Sequence, residues 1–152
     1  LLENKINISK TYLIHQVKYS MFVRQPEEGL LDVLEEKGVG CIAFSPLAQG
    51  LLTNKYLKGI PENSRAFNPN GHLLLEDVSE VKIQKIIALN DIAKKRNQTL
   101  AQMALAWILK DKRITSVLIG ASSVSQLNNN IESLQNLYFT KAELAEIECV
   151  LE

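Results

Sequence analysis

The stretch that decides the fold is Gly40-Cys41-Ile42-Ala43-Phe44-Ser45-Pro46-Leu47-Ala48-Gln49-Gly50-Leu51-Leu52. Residues 41–44 run without polar alternation, which is typical of a strand covered on both faces in a parallel sheet. Pro46 then ends the strand, because proline cannot donate to a ladder. The small residues 48–50 allow close approach of the backbone to a ligand, and ligands of α/β folds bind where strands end. The alternative is an ordinary turn after a buried strand.

Size and composition are those of a globular domain. The chain has 152 residues, of which 46% are hydrophobic and 22% are charged, so residues 1–152 are interpreted as a single domain with its own core. Lysine plus arginine number 17 and aspartate plus glutamate number 17, so the formal net charge is zero. This balance predicts no binding to nucleic acid or to an anionic membrane.

Cysteine usage and the absence of targeting patterns indicate the compartment. Cys41 and Cys149 are far apart without metal-type spacing, so we expect reduced thiols and no metal site. No apolar run approaches the roughly 20 residues of a membrane span, and no signal-peptide order is present. The protein is therefore predicted to be cytoplasmic. The first residues, Leu1-Leu2-Glu3, resemble the end of a helix whose beginning is missing, and we expect a fragment.

The residues before the central stretch predict a strand and a helix. Residues 11–16 change from apolar to polar, which favours a buried strand whose last side chains emerge at the carboxyl end of a sheet. Gln16 ends this strand, and its amide can recognise another amide or pair with nearby backbone. His15 is interpreted as a core or wall residue rather than an acid or base. Gln25-Pro26 starts a helix that runs to Lys37, so strand, helix and strand form a right-handed βαβ unit.

The residues after the central stretch predict a long loop, two helices, a third strand and two more helices. A loop as long as residues 53–75 is usually functional or disordered. Helical spacing covers 79–96, and Thr99 opens a second helix with a capping box. Residues 116–120 form a β-branched strand, Ser123 with Gln126 gives another capping box, and Thr140 caps a last helix that extends to residue 152. The turn after the third strand leaves N–H groups that can bind an anion, although every α/β protein has such turns.

Several motifs resemble one enzyme family in order and spacing. They are residues 38–52, Lys55-Tyr56, 59–61, 64–66, 101–107 and 117–122, followed by Gln126-Leu127, Asn129 and Asn130. Over essentially its whole length the sequence is similar to the aldo-keto reductases. Within that family it is most similar to the branch that contains bacterial L-glyceraldehyde 3-phosphate reductases and potassium-channel β subunits.

The resemblance implies a fold of which this chain is one part. The family fold is a (β/α)₈ barrel, which typically needs about 250 residues. The three predicted strands would be the sixth, seventh and eighth, so the chain is predicted to be the α/β carboxyl-terminal part of a TIM barrel. The family's catalytic Asp, Tyr, Lys and His lie on earlier strands. The resemblance therefore implies no catalytic residue in this chain, and His15 is not the family's histidine.

The resemblance also implies that the chain holds the cofactor-binding part of the site. Gln16 would hold the nicotinamide amide, and Phe44 would stack on the nicotinamide ring. Lys55 and Arg65 would close over the pyrophosphate, which would be wrapped by Ser45, Pro46, Leu47, Ala48, Gln49 and Gly50. The adenosine end would be bound by Gly120, Ser122, Gln126, Asn129 and Asn130.

Two departures from the family pattern concern the adenosine end. Ser123 stands where close relatives often carry a longer basic residue, which weakens the case for the 2′-phosphate of NADP. Asn129 replaces a usual acid near the adenine. NADP is still the cofactor that the resemblance implies, and these departures leave NAD as the alternative.

Two functions of different classes remain. The first is the cofactor-binding portion of an NADP-dependent aldo-keto reductase whose intact parent reduces small aldehydes or ketones; the chain alone lacks the catalytic tetrad. The second is a non-catalytic remnant that binds a nucleotide or a partner protein. In both cases open strand edges and an apolar barrel-facing surface predict self-association or pairing with the missing amino-terminal part.

Overall fold

The structure is a computed structural model that describes residues 13–57 and 78–152. Three strands are present in these ranges, β1 (Ile14–Lys18), β2 (Gly40–Phe44) and β3 (Ser116–Val117). The helices are α1 (Leu30–Glu36), α2 (Glu80–Lys95), α3 (Leu100–Leu109), α4 (Val124–Ile131) and α5 (Lys141–Leu151). Short 3₁₀ turns lie at Gln25–Glu27, Ala48–Gly50, Asn54–Tyr56 and Glu132–Gln135.

The three strands form one parallel sheet in the order β1-β2-β3. β1 pairs with β2 from Ile14 opposite Gly40 to Lys18 opposite Phe44, and β3 pairs with β2 on the other side. The central stretch of the sequence is therefore also the central strand of the sheet. Because the strands are parallel, their carboxyl ends lie together, and this is where α/β folds place their ligand sites.

β1 differs from its prediction in position and in burial. Gln16 is the middle residue of the strand rather than its last, and four of the five side chains are exposed. His15 was predicted to be a core or wall residue; it is exposed, so the core alternative is wrong for the described residues. Leu13 just before the strand is exposed as well. β1 lies at an edge of the described sheet. An apolar sequence shows that a strand has the composition to be covered, but not that a covering layer is present.

β2 is covered on one face only. Cys41 and Ala43 are fully buried, whereas Ile42 and Phe44 are half-buried. Helices pack on the first face, and the second face is the open face of the described sheet. The prediction of a strand covered on both faces is correct for the helix side and wrong for the open face within the described residues.

The predicted helix from Pro26 to Lys37 is divided in two. Pro26 lies in a 3₁₀ turn, and α1 begins only at Leu30. Gly29 stands between the two with φ of 112°, a conformation that a continuous right-handed helix does not contain and that glycine adopts without strain. Leu31 and Leu34 of α1 then face the core.

Side-chain caps begin α3 and α5 as predicted, because Thr99 and Thr140 form complete capping boxes. α2 begins after Ser79, the first residue of the predicted helical segment, and the Ser79 hydroxyl also caps it. Only half of the box predicted at Ser123 forms. The Ser123 hydroxyl accepts the N–H of Gln126, but the side-chain oxygen of Gln126 accepts from Ser122 instead.

A buried arginine ties the carboxyl-terminal segment to the end of α2. The side chain of Arg96 is 2% exposed and donates to Glu143 and to the backbone oxygen of Tyr138 at 2.7 and 2.8 Å. Its guanidinium also lies 3.6 Å from the ring centroid of Phe139. The segment that leads into α5 is therefore held by one fully desolvated cation.

α4 exposes its apolar side. Three residues of α4 and one of the following 3₁₀ turn, at spacings of three and four, are between 41% and 74% exposed, and we call them the α4 stripe: Val124, Leu127, Ile131 and Leu134. The polar side of the same helix points inward, where Asn129 contacts Thr99 and Glu132 of the following turn contacts Gln102. A helix with this orientation has an apolar face that nothing in the described ranges covers.

Membrane insertion through a helix has no support in the described ranges. None of the helices there combines the length and the hydropathy that crossing a bilayer requires.

Candidate functional site

A cleft of about 570 Å³ opens at the carboxyl ends of β2 and β3. One wall is the loop after β2, and the other is the connection from β3 into α4. The start of α3 completes the lining through Thr99 and Ala101. The cleft therefore joins three segments that are distant in sequence at the end of the sheet where α/β proteins bind ligands.

The loop after β2 is a compact turn built from left-handed residues. Ser45, Ala48 and Gln49 have φ of 54°, 47° and 60°, and Gly50 has φ of 100°. The turn is closed by backbone hydrogen bonds of 2.9 Å from Ala48 to Ser45 and from Gly50 to Leu47. Non-glycine residues in this region cost on the order of 1 kcal/mol or more each and cluster at ligand clamps. The strain observed here therefore points to a functional loop.

Three amides of α4 form part of the opposite wall. The side-chain oxygen of Gln126 accepts from the N–H and the hydroxyl of Ser122, and the side-chain oxygen of Asn129 lies 3.1 Å from the Thr99 hydroxyl. Asn130 is 3% exposed, and its amino nitrogen has no hydrogen-bond partner within residues 13–57 and 78–152. A buried unpaired amino group is costly, and this one belongs to a residue of the cleft wall.

Most of the residues predicted to bind a cofactor line this cleft. They are Ser45, Pro46, Leu47, Gln49, Gly50, Lys55, Gly120, Gln126, Asn129 and Asn130. Ala48 belongs to the same turn without lining the cleft, and Ser122 is linked to it through Gln126. Arg65 lies outside the residues that the structure describes.

Gln16 and Phe44 do not line the cleft but share the open face of the sheet. Gln16 is opposite Ile42, and Lys18 is opposite Phe44. Because side chains two residues apart on a strand point to the same face, Gln16, Ile42 and Phe44 lie on one side, away from Cys41. Phe44 is the last residue of β2, so the open face adjoins the strained turn directly.

Sequence reasoning missed several residues of the lining, which are Thr53, Asn54, Tyr56, Thr99, Ala101, Leu118 and Ile119. Thr99 was assigned only the role of a helix cap. The position of Thr99 in the chain could have predicted its place in the cleft. Thr99 starts the helix that leads into β3, and that helix begins near the carboxyl end of the sheet.

A cluster of titratable groups with shifted pKa values lies around Trp107, and none of the described groups with a shifted pKa lines the cleft. Burial and a hydrogen bond to Glu27 raise the pKa of Tyr19 far above its usual value. Glu27 is also paired with Arg24 at 2.6 Å, and burial lowers the pKa of Lys110, whose ammonium lies 4.2 Å from the Trp107 ring centroid. Structural ion-pair networks perturb pKa values as catalytic groups do. Because these charges satisfy one another, we interpret the cluster as structural.

Asp111 beside this cluster predicts an acid-dependent part of the stability. Hydrogen bonds from Arg113 hold the pKa of Asp111 below its usual range. Its stabilising contribution is therefore fully present above the unfolded pKa of about 3.9 and is lost as the pH falls through the lower folded value. Asp111→Asn is expected to flatten the acid side of a plot of unfolding free energy against pH, measured by urea unfolding. Asp91→Asn, which removes an exposed ion pair with Lys94, is the control, and equal flattening in both variants would contradict the assignment.

Together the parallel sheet, its helices and the cleft at the strand ends define an α/β protein with a ligand-sized site in the position that barrel enzymes use. The sequence profile of the Aldo/keto reductase family matches residues 6–152, and the chain belongs to this family of oxidoreductases. The predicted family is therefore confirmed.

Curated relatives agree with the predicted branch. L-glyceraldehyde 3-phosphate reductase of Escherichia coli (strain K12) is 50% identical over 140 residues, which is 90% of this chain and 40% of that protein. A probable voltage-gated potassium channel subunit beta of Arabidopsis thaliana is 34% identical over 144 residues, which is 92% of this chain and 44% of that protein. The chain thus spans about two fifths of the length of these relatives.

Solved structures agree on the fold. A thermostable aldo-keto reductase in complex with the inhibitor epalrestat matches with a TM-score of 0.63 and 25% identity, covering 90% of this chain and 39% of that one. An aldo-keto reductase from Bacillus halodurans in its holo form matches with a TM-score of 0.68 and 24% identity, covering 92% of this chain and 43% of that one. Both comparisons assign the parallel sheet to part of a larger aldo-keto reductase fold.

Proposed function

We propose that this chain is the carboxyl-terminal, cofactor-binding portion of an NADP-dependent aldo-keto reductase that reduces small aldehydes or ketones. Residues 1–152 would then be one partial barrel domain. The observation that carries the proposal is the cleft, because it joins the turn after β2 with the amides of α4. The family resemblance assigns these two segments to the two halves of one cofactor.

The two ends of the cofactor would lie on different parts of this surface. Phe44 on the open face offers a phenyl ring for stacking on the nicotinamide, and the Gln16 amide offers a donor and an acceptor to its carboxamide. The strained turn and Lys55 would hold the pyrophosphate, together with Arg65. When bound, the cofactor supplies the hydride, so the residues of this chain bind and orient it, and we assign them no catalytic role.

The adenosine end would bind against β3 and α4 through Gly120, Ser122, Gln126, Asn129 and Asn130. The place of Gly120, Gln126, Asn129 and Asn130 in the cleft lining supports a ligand at this end. NADP is the cofactor that we propose, and NAD is the alternative because Ser123 supplies no positive charge to a 2′-phosphate.

The remaining barrel would come from an amino-terminal part of the same protein. We assign β1, β2 and β3 to the sixth, seventh and eighth strands, which fits relatives that are more than twice as long as the chain. The outer edges of β1 and β3 have no partner strand in the described sheet, and the α4 stripe is exposed. Pairing with an amino-terminal part would cover both features.

The test uses the complete protein that contains this chain. We expect calorimetry to detect binding of NADP or NADPH, and we expect oxidation of NADPH that depends on a small aldehyde. Residues 1–152 alone are expected to show no such turnover. Failure of the complete protein to bind either nicotinamide dinucleotide would contradict the proposal.

A non-catalytic remnant is the second candidate, favoured only by the exposed α4 stripe, which would suit a partner protein. The mass of the protein isolated from its source, and the reading frame upstream of Leu1, distinguish the two. An upstream frame that encodes the earlier barrel strands supports the reductase.

Phe44→Ala in the complete protein tests the nicotinamide end. Loss of a stacked ring is expected to weaken cofactor binding by about 1 kcal/mol, or about five-fold in Kd. Phe44→Tyr keeps the ring and is expected to bind normally, and Phe22→Ala removes an aromatic side chain that lines a different groove. An unchanged Kd for Phe44→Ala, measured by titration calorimetry, would mean that Phe44 only packs the barrel.

A further inference from the structure

A second cavity, of about 620 Å³, adjoins the cleft on the side of α2. Lys55 and Thr99 line both cavities, so the two share a wall. We call the second cavity the lysine pocket, and its described lining includes Lys55 and Leu57 of the loop after β2, Asn90 and Lys94 of α2, and Gln98 and Thr99 before α3. A volume of this size is in the range of small-molecule sites.

Asn90 brings to the lysine pocket an amide that the protein does not use. The residue is 7% exposed, and its side chain has no hydrogen-bond partner in residues 13–57 and 78–152. Neither polar atom of the side chain is among the fully enclosed, unpaired atoms of those ranges, so both keep accessible surface. Asn90 therefore presents one donor group and one acceptor to an occupant of the pocket.

Two ammonium groups give the lysine pocket a positive charge. Lys94 follows Asn90 by four residues on the same face of α2, and Lys55 has no ion-pair partner in the part of the chain that the structure describes. Lys94 contacts Asp91 at 2.8 Å, but the two side chains are 67% and 58% exposed, and such pairs contribute little. No aspartate or glutamate is among the described residues that line the pocket.

We propose that the lysine pocket is a binding site, separate from the cleft, for a small organic anion that carries a phosphate or a carboxylate on an apolar body. Lys55 and Lys94 bind the anionic group, and the Asn90 amide hydrogen-bonds to it. Leu57 is partly buried against the core and offers an apolar contact to the body of the ligand.

Lys55 couples this pocket to the cleft. In the proposed function Lys55 holds the pyrophosphate of the cofactor, so an anion that engages Lys55 from the lysine pocket weakens cofactor binding. By linkage, the cofactor weakens binding of the anion by the same factor. That coupling rests on the proposed function, whereas the pocket itself does not depend on it.

Three probes test the site by titration calorimetry of the complete protein at fixed ionic strength. They are inorganic phosphate, phenyl phosphate and benzoate. We expect phenyl phosphate to bind at least about five-fold more tightly than inorganic phosphate, because its ring buries apolar surface. The tighter of the two aromatic probes identifies the anionic group that the pocket takes. Binding of neither aromatic probe, or inorganic phosphate binding as tightly as phenyl phosphate, overturns the proposal.

A charge-matched pair of variants places the probe. Lys94→Met is expected to weaken binding of the tighter probe about five-fold, the loss of one hydrogen bond, without changing the Kd of NADP measured in the absence of probe. Lys95→Met removes the same charge next to the pocket, where Lys95 forms an exposed pair with Glu146, and is expected to change neither value. Unchanged probe binding in Lys94→Met, or equal weakening in both variants, overturns the proposal, because the probe then binds elsewhere.

Asn90→Leu separates binding from stability. The substitution is expected to weaken probe binding about five-fold while thermal stability is kept or raised, since an apolar group of similar shape replaces an unpaired amide. Retained probe affinity in this variant overturns the proposal. If a probe binds and no nicotinamide dinucleotide does, the pocket stands and the proposed function falls. A cofactor Kd that saturating probe leaves unchanged overturns the coupling through Lys55.

Discussion

Arg96→Ala is expected to lower the free energy of unfolding by about 3 kcal/mol, the upper end for a single substitution that breaks a buried hydrogen-bond network. The side chain is 2% exposed and donates to Glu143, to Gln98 and to the backbone oxygen of Tyr138 at 2.7, 2.9 and 2.8 Å. It also covers the ring of Phe139. Alanine would remove the donor to these oxygens and the guanidinium that covers the ring of Phe139.

Urea unfolding of the purified protein measures this effect. Arg96→Lys is expected to recover little, because one ammonium cannot reproduce the planar fork that reaches several acceptors and stacks on a ring. Lys95→Ala is the matched control at the neighbouring position. Its ion pair with Glu146 is exposed, so a loss of less than about 0.5 kcal/mol is expected. Equal losses at both positions would mean that the buried hydrogen bonds contribute nothing.

Ile131→Glu on the α4 stripe is expected to have the second large effect. If an amino-terminal part of the barrel covers the stripe in the complete protein, the substitution buries an unpaired carboxylate, at a cost on the order of 3 kcal/mol. Val81→Glu on α2 is the control, because Val81 is 67% exposed and is the only exposed large apolar residue of that helix. Urea unfolding of both variants of the complete protein gives the comparison.

The chain of residues 1–152 gives the complementary result. There the same Ile131→Glu substitution is expected to reduce self-association, measured by light scattering, because an apolar patch becomes charged. If Ile131→Glu costs no more than Val81→Glu in the complete protein, the stripe faces solvent and the proposed pairing is wrong.

Local signals in the sequence were sufficient for the central strand and for the helix starts. β2 and the caps at Ser79, Thr99 and Thr140 depend on residues within one turn of each other. The break at Gly29 was missed because proline and two glutamates already explained a helix start, and a glycine three residues later was compatible with a continuous helix.

Features that depend on a neighbouring layer could not be predicted. The exposure of β1 reflects what packs on it, and no residue of the strand encodes that. The contact between Thr99 and Asn129 joins a helix cap to a side chain thirty residues away. Periodicity identifies both elements but not the hydrogen bond between them, so the cleft residues could be named while their contacts could not.

Parallel pairing of the three strands also implies an order of folding. The connection from Phe44 to Ser116 contains more than three times as many residues as the one from Lys18 to Gly40, so closing it costs about 1 kcal/mol more in chain entropy. β1, α1 and β2 are therefore expected to assemble first. Pulse-labelled hydrogen exchange should then protect the β1–β2 amides before those of Thr115 and Leu118, which bond to β2; simultaneous protection would contradict this order. Until β3 docks, one edge of the central strand stays open to other chains, so crowded refolding should favour misassembly through β2.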